Sequence, residues 1–164
     1  MRMTTLKQRS RNRTPLAMMY IGAGLTAIVG LFPFIDQSTT TVLADHIKAS
    51  YPAYEPGAID AAVAAYLAIL STVGVLGLLG WLGTIWAVRA GMRGAPWLAT
   101  GLLAIAICIA IAGLTVQDTS GDVGLAPLLG WLQVLPCIPG LAAVALWRRA
   151  DRACLSSPPA SPAR

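Results

Sequence analysis

His46 is the only histidine in the chain. It lies in the segment DQSTTTVLADHIKASYPAYEPG, next to Asp45, with Glu55 and Asp60 further on. An imidazole among carboxylates can help hold a hard divalent cation or move a proton. The spacing does not support either role: there is no HExxH, no cluster of Cys and His, and no fixed ligand interval. Asp45, His46, Glu55 and Asp60 therefore form an external polar site only in outline, and a solvated acidic face is the plainer reading. Asp118 and Asp122 belong to the same side. A single histidine also excludes a haem held by two axial histidines of one chain. No catalytic, metal-ligating or cofactor-binding residue is assigned, and no cofactor is expected.

A second group of interest is Gln133 with Pro136 and Pro139, in LLGWLQVLPCIPGLAAVALW. Each proline removes a helical N–H, which leaves the carbonyls of Leu132 and Leu135 without their usual donors and predicts a kink. The Gln133 amide could donate to a freed carbonyl or to a neighbouring helix, since an unsatisfied amide in lipid is costly. The rival is a kinked helix beside a polar cavity, as in transporters, although no paired break occurs in another apolar stretch. Cys108 and Cys137 stand at similar distances in sequence from Trp97 and Trp147 and could touch. Small packing residues are the plainer reading of both, because mid-membrane burial disfavours thiolate chemistry. Ser71 and Thr72 have no ionisable companion and are expected to bond back to helix carbonyls.

The elements that must position these groups are apolar. The chain has 164 residues, 56% of them hydrophobic and only 12% charged. Thr14 to Ile35, Ala61 to Val88, Gly94 to Gln117 and Val123 to Trp147 contain no charged residue, and each is long enough to cross the ~30 Å hydrocarbon core. The expected fold is an all-α membrane protein with transmembrane helices at about 14–35, 59–88, 97–116 and 127–147, packed as an antiparallel bundle. A basic segment 1–13 precedes them, and a tail 148–164 rich in Ser and Pro is expected to be disordered. Leu43 and Ile47 share one face of Val42 to Ser50, which predicts a short interfacial helix ended by Pro52.

The net charge of +5 would suggest nucleic acid in a soluble protein, but its distribution points to a membrane instead. Arginines and Lys7 precede the first span, Arg89 and Arg93 join the middle spans, and Arg148, Arg149, Arg152 and Arg164 follow the last. Lys48 alone lies elsewhere. The positive-inside rule then places both termini in the cytoplasm of a multi-pass protein, and no nucleic acid partner is expected. The first apolar segment is too long for a signal-peptide core and is expected to be retained. No ionisable residue lies well inside a span, which disfavours ion-coupled transport.

Small residues mark the packing faces. Gly74, Gly77, Gly80 and Gly83 recur every three positions, so they wind around their helix and let more than one neighbour approach. Ala104, Cys108 and Ala112 continue a stripe from Thr100 on which another helix can pack.

Tyr51-Pro52-Ala53-Tyr54, Gly80-Trp81-Leu82, Trp86-Ala87-Val88-Arg89 and Asp118-Thr119-Ser120-Gly121-Asp122 resemble segments of small four-span membrane proteins of high-GC Gram-positive bacteria. The resemblance implies a bacterial cytoplasmic membrane protein but no activity, and it assigns no functional residue. The expected function is non-enzymatic, through helix–helix or lipid contacts, as a homo-oligomer or as an accessory subunit of another membrane protein. The alternatives are a small-solute or lipid transporter using the glycines of span two and the kink of span four, and a membrane enzyme built on the loop around His46.

Overall fold

Residues 13–118, 121 and 123–155 are described in the computed structural model. Its helices are α1 (Arg13–Thr39), α2 (Val42–Ser50), α3 (Pro56–Arg89), α4 (Ala95–Thr115), α5 (Pro127–Val134) and α6 (Cys137–Leu155). Among them are four stretches long and apolar enough to cross a membrane: Thr14–Thr39, Pro56–Arg89, Ala95–Thr115 and Pro127–Arg149, the last combining α5 with most of α6. The protein is therefore an all-α integral membrane protein. Proline stands in the first turn of α3, α4 and α5, where its missing N–H costs nothing and its fixed φ suits the helix.

The four spans form a ring. The first packs against the second and fourth, and the third also packs against the second and fourth. Each end of the ring has its own core. At the end carrying Arg89, Met19, Ile85, Val88, Ala99, Ala143 and Trp147 pack together. At the opposite end, Leu43, Ile47, Val63, Leu70, Leu125 and Leu129 do so.

The glycines of α3 show the expected winding. Gly74 faces α1, where a Cβ would lie 3.6 Å from the Gly30 Cα, and Gly77 faces Thr26 of the same helix. Gly80 has turned toward Leu102 of α4, and Gly83 meets nothing. The stripe on α4 has a different fate. Ala104, Cys108 and Ala112 are exposed, while Ala95, Ala99 and Ala110 are the buried alanines of that helix. Every face of α4 is apolar, so its sequence carries no contrast between the side turned to lipid and the side turned to protein.

Three boundaries differ from expectation. The first span continues past Ile35 to Thr39, because Asp36 is buried and the hydroxyls of Ser38 and Thr39 bond back to the Ile35 carbonyl. The second begins at Pro56. Helix α6 runs to Leu155, into the segment expected to be a disordered tail, since no proline interrupts it before Pro158. The segments 1–12 and 156–164, together with Thr119, Ser120 and Asp122, lie outside the described residues.

Helix α2 spans the predicted residues with Leu43 and Ile47 buried, so it is docked on the end of the bundle. Asp36 holds it there. Its two carboxylate oxygens accept the backbone N–H groups of Val42 and Leu43, each at 3.1 Å, and the Thr40 hydroxyl donates to the same group. Two first-turn donors of α2 are thereby satisfied by a side chain from the preceding helix.

Candidate functional site

The spans enclose a cavity of about 270 Å³, lined by side chains of all four and almost wholly apolar. Gly30, Gly74, Gly77 and Gly140 are among its lining, at places where neighbouring helices approach closely. Its lining ends in the two cores, with Met19, Ala99 and Ala143 at one and Leu70 and Leu129 at the other. The exposed members of the lining, Leu76, Ile105, Ala106 and Ile109, all belong to α3 and α4. The cavity is thus capped at both ends and opens sideways between those two helices.

Trp81 forms one wall. Its indole Nε1–H donates to the Thr26 hydroxyl at 2.9 Å, and that hydroxyl donates to the Gly22 carbonyl at 2.8 Å. The ring covers Gly22, where a Cβ would collide with it, and also approaches Gly140. The indole is therefore fixed between α1 and α6 with its polar atom satisfied, as a tryptophan in lipid requires.

Gln133 also lines the cavity, half-buried. The kink it was expected to serve is present as a break between Val134 and Cys137. The freed carbonyls, however, are satisfied locally. Leu132 accepts from Leu135 N–H at 3.2 Å and Leu135 from Ile138 N–H at 3.3 Å, both tight i to i+3 turns. Among the described residues no hydrogen bond ties down the Gln133 side chain, which places a carboxamide in the wall of a largely apolar chamber. Pro136 lines the cavity beside it and Pro139 is buried. Cys137 is buried and Cys108 exposed, and both thiols are free.

A second, smaller pocket of about 130 Å³ lies at the α2 end. Its walls include His46 and Ser50 of α2, Tyr51 and Tyr54 of the following turn, Tyr66 of α3, and Asp118 and Gly124 of the connection between α4 and α5. That connection is held by its own short bridge between Gln117 and Val123, and by His46, whose Nε2–H donates to the Val123 carbonyl at 2.8 Å. The Tyr66 hydroxyl enters where a Cβ at residue 124 would sit, which explains the glycine, and donates to Asp118 at 3.4 Å. The Tyr51 and Tyr54 rings stack with centroids 4.5 Å apart.

Of the external polar residues named in the sequence, His46 and Asp118 line this pocket. Asp45, Glu55 and Asp60 are exposed, and Asp45 accepts a bond from Thr41 at 3.3 Å. No three His, Cys, Asp or Glu side chains converge among the described residues. Asp36, Tyr66 and Trp81 carried no functional expectation. The available signal was an aromatic ring with a polar atom well inside an apolar span, which demands a partner.

Nor does the pocket hold an assembled nucleophile. Ser50 and His46 share it, yet among the described residues no hydrogen bond joins them, and the imidazole Nε2–H is committed to Val123. No family model, curated protein or solved structure matches the chain.

Proposed function

We propose that this is a non-enzymatic bacterial cytoplasmic membrane protein that works through lipid contact, holding one apolar chain in the cavity between its spans. The observation that carries this is the chamber itself: apolar, closed by a core at each end and open to the side between α3 and α4. Its 270 Å³ exceeds the ~150 Å³ that suffices to bind benzene in an apolar interior. A molecule already dissolved in the bilayer reaches such an opening without crossing water. The concentration of arginines at the Arg89 end supports reading that end as cytoplasmic and α2 with the smaller pocket as outward-facing. A through-path for solute would have to break one of the two cores, which makes retention a better fit than conduction.

The test is native mass spectrometry of the full chain released from native-like nanodiscs. Wild-type protein should retain one lipid or apolar molecule under activation that strips the rest. Val73→Trp, which fills the cavity, should lose it while unfolding at a similar point. Equal retention by the two proteins would remove the proposal. The same spectra read the oligomeric state, the remaining part of the helix-contact expectation.

A further inference from the structure

Among the described residues no Asp, Glu, Lys, Arg or His lines the central cavity, and its polar side chains are those of Thr26, Trp81, Thr84, Gln133 and Cys137. Four of these are spent on the bundle itself. Trp81 donates to Thr26 and Thr26 to Gly22, the Thr84 hydroxyl donates to the Gly80 carbonyl at 2.7 Å, and the Cys137 thiol donates to the Gln133 backbone carbonyl at 3.8 Å. The Gln133 carboxamide has no such bond. Among the described residues no enclosed side-chain nitrogen or oxygen lacks a partner, so the polar atoms of Gln133 are open to a molecule beside them. Leu129, Leu132, Gln133, Pro136, Cys137 and Gly140 all line the cavity, at the three- and four-residue intervals of one helical face. Gln133 therefore stands on the side of the fourth span that is turned to the chamber.

We propose that Gln133 makes the cavity selective for an uncharged long-chain alcohol over a plain hydrocarbon chain. The inference rests on the reading of the cavity as the seat of one apolar chain, and adds what that chain must carry. The carboxamide offers N–H donors and an acceptor oxygen about 9 Å along the fourth span from Pro127, below the interface. Such a group is costly to leave unpaired in apolar surroundings, and the cores at both ends shut out the water that would otherwise pair with it. Its partner must therefore arrive from the bilayer. A hydroxyl fits best, because it both donates and accepts and so can meet either half of the amide, whereas a ketone or ester meets the NH₂ alone. A charged headgroup is excluded, since no counter-charge lines the chamber among the described residues.

The test is photolabelling of the full chain in nanodiscs with two probes: hexadecanol carrying a mid-chain diazirine, and the same chain with hydrogen in place of the hydroxyl. Peptide mapping gives, for each probe, the labelling of Leu103 and Leu132 in the cavity wall relative to that of Leu79 and Ile111, which are exposed and not part of the lining. The ratio corrects for how much of each probe enters the bilayer. It should be about three- to tenfold higher for the alcohol, as one net hydrogen bond implies. Gln133→Leu should abolish that preference while labelling of the cavity by the hydrocarbon persists, which a merely loosened bundle would not produce. Val73→Trp should lower both ratios. Equal ratios for the two probes in wild-type protein, both well above one, would overturn the selectivity and leave the chain-holding cavity standing. Ratios near one for both probes would remove the cavity reading and this inference together. An alcohol preference that survives Gln133→Leu would also overturn the inference. The comparison of the two probes is made on wild-type protein and does not depend on any variant folding.

Discussion

Replacing Asp36 by alanine removes a buried carboxylate that satisfies the Val42 and Leu43 backbone N–H groups at 3.1 Å each. Asp36 is 1% exposed and so is Leu43, so water cannot substitute at the inner amide without opening the contact. Losing a helix cap costs about 1–2 kcal/mol, and a buried donor left unmade costs about 1–3 kcal/mol. These overlap, and the expected destabilisation is about 3 kcal/mol. Asp36→Asn is not conservative here. Its amide has one oxygen for two N–H donors and turns an NH₂ toward the other, so most of the loss should remain. Because the four spans touch one another without α2, the effect should be local. Hydrogen exchange in nanodiscs should lose protection across Val42–Ser50 while the middle of α3 stays protected, and unfolding in mixed micelles should give the total. Unchanged exchange at Leu43, or both variants within about 0.5 kcal/mol of wild type, would refute the assignment of Asp36 as the latch of α2.

The glycines offer a paired test. Gly22→Ala puts a methyl into the Trp81 ring and should destabilise the bundle by about 1–3 kcal/mol, whereas Gly83→Ala, which meets nothing, should be neutral or stabilise by up to about 1 kcal/mol; unfolding of the two variants side by side measures both. His46→Ala frees the Val123 carbonyl and should cost about 1 kcal/mol, with faster proteolysis confined to the connection between α4 and α5. Loss of protection throughout the spans instead would contradict so local a role.

Much of the architecture follows from the sequence by itself, for reasons that are local. The number of spans depends on runs of uncharged residues compared with the thickness of a bilayer. The short helix Val42–Ser50, with Leu43 and Ile47 as its buried pair, follows from one turn of helical spacing. The break near Pro136 follows from a missing N–H, and the turning of Gly74, Gly77 and Gly80 from one helix toward another follows from a three-residue interval on a 3.6-residue helix.

Tertiary structure alone decided which faces are used. In a soluble helix a polar face marks the outside, but in α4 both outside and inside are apolar. Only the positions of its neighbours turned Ala95, Ala99 and Ala110 inward and Ala104, Cys108 and Ala112 outward. The polar groups were decided at longer range still. Asp36 read as the start of a loop until α2 brought two amide donors to it, and His46 read as one of an acidic group until the loop carrying Val123 arrived. A chamber is likewise a property of the space between helices. The glycines along α3 announce close approach, but only the ring of four spans, with a core at each end, leaves a chamber between them that opens to the side.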